Sequence, residues 1–345
     1  MKGQCIKRLS LQKLLIPLFI IVIVIFSIFF YLNHRYDNAR IEKSALKLNT
    51  YIKVTLYGTK DESLIDDVFA LCDYYENLLS KTIETSDISR FNHRTDDEIT
   101  VSNETATLIK LGLSYADQTN GAFNIAIGKL TDLWNFTADE PKVPEDSLIK
   151  GTLSHIDQHA LTIDGNTLHS TDTQLEVDLG AIAKGFIADQ MKQFLLERGV
   201  TSGTINLGGN VLCIGSKPDH SPFQIGIQKP FSEQGEVLLA VEATDSSVVT
   251  SGTYERYFIE NEKLYHHILD SKTGYPFDNG LASVTILSKK SVDGDALSTS
   301  CFALGLEEGM KLIDSMEDTY AIFVTEEEEI YYSQGLQDAY TIILP

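Results

Sequence analysis

The chain is poor in the residues that build disulfide frameworks, metal knots and nucleic-acid surfaces. It has four cysteines in 345 residues (Cys5, Cys72, Cys213 and Cys301), with no CxxC spacing and no histidine at zinc-ligand distance from them. That excludes a disulfide scaffold and a zinc ribbon, and the thiols read as small buried apolar groups. Bases are scarce as well: 28 Lys and Arg face 49 Asp and Glu, a net charge of −21. Five of those bases (Lys2, Lys7, Arg8, Lys13, Arg35) lie in the first 36 residues, which hold no acid, so the remainder has 23 bases against 49 acids, or −26. A body of that sign repels nucleic acid, and a phosphate-bearing ligand on it calls for a cation as intermediary. The absence of GxxxxGK[ST] excludes a P-loop. No fixed repeat or low-complexity tract is present apart from the acidic Glu326–Glu329, read as a solvated hairpin turn. With 43% apolar residues the chain has ample material for a core, which rules out wholesale disorder.

The longest uncharged apolar run is Leu14 to Leu32, 19 residues. At 1.5 Å per residue it spans roughly 28 Å, the thickness of a bilayer's hydrocarbon. A cleavable signal peptide is the rival reading, but the bulky Tyr31-Leu32-Asn33-His34-Arg35-Tyr36 offers no small-x-small cleavage site. Cys5 lies before the run, so no cysteine follows it for lipid attachment. The bases that precede the run place residues 1–13 in the cytoplasm by the positive-inside rule. The expectation is a single-pass membrane protein with a transmembrane signal anchor at 14–32, a charged connector at 33–47 and an extracytoplasmic domain at 48–345.

Within that domain, alternation predicts a strand at Tyr51–Tyr57, and helical spacing of Leu64, Val68, Leu71 and Leu78 predicts a helix from Asp61 to Ser80. A second helix is expected from Asn103 to Thr119 behind the capping candidates Ser102 and Asn103, and a third from Ala181 to about Arg198. The polar stretch Thr137–Thr152, with Pro141 and Pro144, reads as a surface loop, and His155–Val177 as short strands with turns at Asp164-Gly165 and Asp172. Strands follow at 204–207, 211–214, 223–228, 237–242, 257–259 and 282–287, then a helix over about 293–315 and strands at 320–324 and 329–332. Many strands among few helices indicate an α+β fold, with flanking helices rather than strict βαβ alternation.

Four segments carry more glycine and polar residues at element ends than packing requires. In Thr119–Gly128, Gly121 permits a tight turn and Phe123 offers an aromatic face, against the plainer reading of a helix cap followed by a core strand. In Val177–Asp189, Asp178 and Gly180 precede a helix whose free N–H groups favour an anion, although the glycines serve helix–sheet packing equally well. Beyond Ser251-Gly252, His266 and His267 precede a polar turn; on a strand they point to opposite sides, so at most one enters a site. Asp295 and Thr299 are four residues apart on one helical face and present hard oxygens suited to Mg²⁺, or else Asp295 only complements its own helix dipole.

Taken together, SRFN (89–92), GAFNIAIGKLTDLW (121–134), VDLGAIAKGFIAD (177–189), INLGGN (205–210), VVTSGTYERYF (248–258), HILDSKTGYP (267–276) and DALST (295–299) resemble, in this order, the ApbE family of flavin transferases. The resemblance covers roughly residues 45–340. It implies an ApbE-like fold of mixed sheets with flanking helices. The implied activity takes FAD, cleaves its diphosphate, and joins FMN through its phosphate to a Thr or Ser of a target flavoprotein, releasing AMP. It implies a Mg²⁺ (or Mn²⁺) site made by Asp295, Thr299 and the carbonyl of Ala181. FAD contacts would come from Leu48, Thr82, Ala122, Phe123, Asn124, Asp178, Lys184, His267 and Leu269. His267 and Asp295 are the implied catalytic pair, with His267 as candidate general base and Asp178 a weaker one. Departures from the family pattern are Leu48 for Met, Thr82 for an aromatic, Asn124 for Asp and Ser271 for Pro. A hydrolase giving FMN and AMP, and a tethered flavin-binding protein without activity, are the rival readings.

Overall fold

Leu281–Ser288 is buried at every one of its eight positions, and a strand with no exposed face must lie in a sheet covered on both sides. The computed structural model shows that arrangement and describes residues 39–232 and 235–344. The run at 14–32 and the flank 1–13 that was expected to be cytoplasmic lie outside the described residues. Among the described residues no helix is long and apolar enough to cross a membrane.

In chain order the strands are β1 (Arg40–Lys47), β2 (Thr50–Tyr57), β3 (Glu98–Thr100), β4 (Leu161–Asp164), β5 (Thr167–Ser170), β6 (Gly203–Leu207), β7 (Asn210–Ile214) and β8 (Phe223–Gln228). They continue as β9 (Val237–Ala243), β10 (Ser247–Gly252), β11 (Tyr257–Glu260), β12 (Lys263–His266), β13 (Leu281–Ser288), β14 (Tyr320–Thr325), β15 (Ile330–Tyr332) and β16 (Ile342–Ile343). The helices are α1 (Ser63–Leu79), α2 (Asp87–Asn92), α3 (Asn103–Gln118), α4 (Gly128–Trp134), α5 (Asp146–Leu153), α6 (Ala183–Glu197), α7 (Ser291–Asp314) and α8 (Leu336–Ala339). One eight-stranded sheet runs β1-β2-β6-β7-β10-β13-β14-β15, beside sheets β16-β9-β8, β3-β5-β4 and the hairpin β11-β12. Every ladder is antiparallel, so the α+β class stands and the expected mixed sheets are antiparallel instead.

On one face of the large sheet, helices α1, α6 and α7 bury a core that includes Ile65, Val68, Cys72, Ile187, Met191 and Phe302. The other face packs against β8 and β9 through Cys213, Phe223, Leu239, Val241 and Leu287. A third cluster, Leu130, Trp134, Ile149, Ile156 and Leu269, joins α4 and α5 to the 268–276 turn. The described cysteines, Cys72, Cys213 and Cys301, are free and buried.

Local chemistry explains most boundaries. In α1, Ile65, Val68, Cys72, Tyr75 and Leu79 recur on one helical face. Ser102 caps α3, its hydroxyl accepting from Thr105 N at 3.2 Å. Two readings are corrected. The 33–47 connector is in part a strand, since Arg40–Lys47 pairs along its whole length with β2. The loop expected at 137–152 contains α5, which turns Ile149 and Thr152 inward while Leu148 stays 54% exposed. Its amphipathic signal is too short to see past the flanking prolines.

Candidate functional site

The four glycine-rich segments meet. Asp178 N donates to Ile125 O and Gly128 N to Glu176 O, both at 2.9 Å, which pairs the first segment with the second. The indole N–H of Trp134 donates to Gly274 O at 2.8 Å, fastening the polar turn after His267 to α4. Ser271 donates its hydroxyl to Gly121 O at 3.4 Å. Ser251 Oγ lies 2.8 Å from Ser298 Oγ and 3.2 Å from Thr299 Oγ1, bringing β10 against α7.

Helices α6 and α7 touch at their starts, and Gly185 is why they can. A Cβ there would stand 2.3 Å from Ser291 O, so only glycine permits the approach. Gly185 N, one of the donors left over at the start of α6, gives its hydrogen to Asp295 Oδ2 at 2.8 Å. It is thereby turned away from the Ala181 carbonyl four residues back. The start of α7 is capped by Asp189, which accepts from Ser291 N at 2.8 Å and Val292 N at 2.9 Å. Burial pushes the Asp189 carboxyl up to about 6, against the pull of those two N–H groups. With the cap supplied by Asp189, Asp295 is free for the contact with α6, and its remaining oxygen shares a helix face with Thr299.

Asp295 is 5% exposed. Among the described residues no three His, Cys, Asp or Glu side chains cluster so as to hold a metal ion. A cation here would therefore rest on one carboxylate, the Thr299 hydroxyl and the Ala181 carbonyl. Such hard oxygens fit Mg²⁺, which takes few protein ligands and keeps water or phosphate on the rest. The residues present fit the ion.

Around this point gather Lys184, Glu255, Arg256 and His267. His267 N donates to Arg256 O at 3.1 Å, and its Nδ1 is a buried polar atom with no hydrogen-bond partner. Burial first, then the charges of Arg256, His266 and Lys184, lower the His267 imidazole to about 3, so it is neutral near pH 7. Glu255 keeps solvent contact, yet the atoms packed around its carboxylate cost it hydration. With Asp295 adding to that and Lys184 and Arg256 opposing it, the group is pushed up to about 7. Lys184 Nζ donates to Gly180 O at 3.2 Å. His266 points away, its Nε2 bonded to Phe277 O at 2.9 Å.

Asp178 is bound on all sides. Its carboxylate accepts from Gly180 N at 2.8 Å and Thr131 Oγ1 at 2.7 Å, and pairs with Lys81 Nζ at 2.9 Å. Burial alone would raise it, but the Lys81 ammonium and the hydrogen bonds from Thr131 and Gly180 together outweigh burial and hold the carboxyl below the usual carboxylate range.

Several of the residues expected to contact FAD also have partners within the protein. Leu48 does not begin a strand; with Asn49 it forms the β1–β2 turn, at φ 52° and 54°, and its N–H donates to Glu76 Oε1 at 3.1 Å. Phe123 is 2% exposed and packs edge-on to Tyr115, so its ring offers no open face. Asn124 spends its amide on Ile156 O and Ala126 N, at 2.9 and 2.8 Å. Leu269 is 6% exposed within the third cluster. Thr82 is exposed, and its neighbour Lys81 is the residue that reaches Asp178. Ala122 lines a groove of about 630 Å³ shared with Asp270, Phe277 and Leu304, whose lining does not include Asp295. Lys81, Glu255 and Arg256 were not among the expected residues; the last two lie inside a quoted motif, and Lys81 carries no local signal.

The sequence model of the ApbE family matches residues 48–323. The chain is 38% identical over 300 residues to the FAD:protein FMN transferase of Klebsiella pneumoniae (strain 342), covering 86% of this chain and 93% of that one. It is 30% identical over 321 residues to the FAD:protein FMN transferase of Treponema pallidum (strain Nichols), with 87% and 89% covered. Among solved structures, the flavin transferase ApbE from Vibrio cholerae superposes with a TM-score of 0.78 at 27% identity, over 87% of this chain and 99% of that one. The ApbE protein from Thermotoga maritima gives 0.80 at 29%, over 87% and 98%.

Proposed function

The chain belongs to the ApbE family, and from that premise we propose that it is a Mg²⁺-dependent FAD:protein FMN transferase that places FMN on a Thr or Ser hydroxyl of a target protein and releases AMP. The observation that carries the reading is the contact of Asp295 with Gly185 where α6 and α7 begin, beside a Glu255 whose carboxyl feels Asp295, Lys184 and Arg256, two charges that also act on His267. That point has cations for a diphosphate and a neutral imidazole within electrostatic reach of one another on an acidic protein.

The reaction is a displacement at phosphorus, in which a protein contributes mainly position and charge. The acceptor hydroxyl attacks the FMN-side phosphorus, the bond to the bridging oxygen breaks, and that electron pair leaves with AMP. His267, neutral and with Nδ1 unpartnered, takes the hydroxyl proton. A diphosphate beside Lys184 and Arg256 offsets the charges that depress His267, which makes it a better base with substrate bound than without. Asp178, held by Lys81, Thr131 and Gly180, fixes the loop ahead of α6 and so the position of the Ala181 carbonyl. Asp295, Thr299 and Ala181 would hold the Mg²⁺, which when bound neutralises diphosphate oxygens.

The apolar run at 14–32, with bases before it, supports a single-pass anchor in the cell membrane with this domain outside. Protein-bound flavin on a denaturing gel tests the function, comparing membranes from cells that carry the chain, its Asp295→Ala variant, or neither. A fluorescent band present only with the intact chain is expected, and Asp295→Ala should lose at least 10²-fold, in the range of a lost electrostatic contact. A band of equal strength in the variant removes the oxygen-donor site from the mechanism. FAD converted only to free FMN and AMP, or bound without AMP release, overturns the transferase reading.

A further inference from the structure

Arg256 stands apart from the other described arginines. Arg40 pairs with Glu42 and Arg90 with Asp87. Arg94 donates to the carbonyls of Phe91, Leu175 and Asp172, and Arg198 donates to Phe194 O while lying 3.4 Å from the centroid of its ring. The Arg256 guanidinium, among the described residues, has neither a hydrogen bond nor an ion pair nor a ring beneath it. In a chain of net charge −21 this is not for want of acids.

Its backbone is fixed all the same. Arg256 O accepts from His267 N at 3.1 Å, and Glu255 N donates to Gly252 O at 3.3 Å, which tethers the loop between β10 and β11. The side chain therefore leaves a tethered main chain that is hydrogen-bonded to His267, whose Nδ1 is unpartnered. Its charge is felt at both His267 and Glu255, as is that of Lys184. A free, exposed guanidinium, next to a second cation and a neutral imidazole, is a planar fork shaped for an anion that presents paired oxygens, as a phosphate does.

The proposed reaction supplies such an anion and increases its charge. FAD's diphosphate carries about two negative charges, and after transfer the departing phosphomonoester approaches two by itself while the new diester keeps one. We propose that Arg256 is a catalytic residue that grips the non-bridging oxygens of the phosphate leaving with AMP and stabilises the charge that grows there. This rests on the transferase reading above. In the step, the acceptor oxygen forms its bond to the FMN phosphorus, the bridging P–O bond breaks with its electron pair going to AMP, and the proton goes to His267. Arg256 donates hydrogen bonds throughout and changes neither charge nor bonding.

The test uses the full chain with FAD, Mg²⁺ and an acceptor protein, and reads AMP release together with FAD affinity and the urea midpoint. Arg256→Ala should lower kcat by about 10²-fold, as removal of a charge-stabilising donor does, with FAD Kd changed less than about tenfold. Guanidinium chloride at millimolar, non-denaturing concentration should restore part of that rate, and sodium chloride of equal ionic strength should not. Arg256→Lys, which keeps charge but not the fork, should recover less than half of the lost rate. Turnover of Arg256→Ala within about threefold of an active intact chain overturns the proposal. So does a loss that guanidinium does not relieve in a variant with an unchanged urea midpoint. If Arg256→Ala does not fold, Arg256→Lys decides: full wild-type turnover there overturns the fork. An intact chain that releases no AMP defeats the transferase reading itself, a separate result.

Discussion

Gly185→Ala is the sharpest probe of how the two helix starts are joined. At an ordinary helical position the change stabilises by about 1 kcal/mol, because alanine is the better helix former. Here the new Cβ would meet Ser291 O at 2.3 Å, Ser291 C at 2.7 Å and Val292 Cα at 2.7 Å, all backbone atoms. Ser291 would have to recede by about 0.7 Å to reach even the closest approach that real Cβ atoms make. The Asp189 carboxylate that caps Ser291 and Val292 resists that shift. Overpacking costs about 1–3 kcal/mol where side chains can yield; against a capped helix start we expect the upper end, so the net change is destabilising by about 2 kcal/mol. The shift also lengthens the Gly185–Asp295 hydrogen bond and moves Asp295 relative to Ala181. A misplacement near 1 Å can cost about 10²-fold in rate. Urea unfolding and AMP release measure the two effects on the same sample. A variant at least as stable as the parent, with turnover within twofold, would refute the packing argument and the placement of Asp295 together.

Two further outcomes follow from the charges. His267 protonates near pH 6.5 in an unfolded chain but at about 3 when folded, so the unfolded state binds the extra proton and stability falls as pH drops through that window. His267→Gln should show a shallower fall between pH 6.5 and 4 in urea titrations, and an unchanged slope would contradict the assignment. Lys81→Met leaves Asp178 without its cation; both side chains are under one-fifth exposed, and breaking such a pair costs about 3 kcal/mol. Because Asp178 is held below the usual range, its contribution is present above the unfolded value near 3.9 and fades as pH falls further. The stability gap between parent and Lys81→Met should shrink toward pH 3, and a gap independent of pH would count against the pair.

Sequence pattern located the elements whose burial is periodic. Helices α6 and α7 lie within about two residues of where spacing put them, and Asp295 and Thr299 were visible because one helix turn carries both. Strand β1 was hidden because it is an edge strand: its residues alternate between exposed and half-buried, and Leu46 is 81% exposed. The Phe123 ring and the Leu269 side chain close cores, which a motif string does not reveal, since it records residue type and not which way a side chain points. Lys81 and Asp178 meet only through tertiary folding, so nothing near either residue announces the other. Among the described residues the Arg256 guanidinium is distinguished by lacking a partner, a property that shows only once the neighbours of the other described arginines are known.

Helix α7 is broken at Gly305, where φ 79° and ψ 176° leave the helical range. The inner half carries Asp295 and Thr299, and the Asn279 amide holds it by Phe302 O at 2.6 Å. The outer half keeps its ion pairs to itself, Lys311 with Glu307 and Glu308, and rests on the inner half where Gly309 meets Cys301 O. Mechanically this is a jointed rod: a push on the outer segment becomes rotation about the joint and does not slide the inner segment along its axis. The surface of the protein can be jostled, or redrawn by mutation, while the spacing between the two helix starts stays fixed.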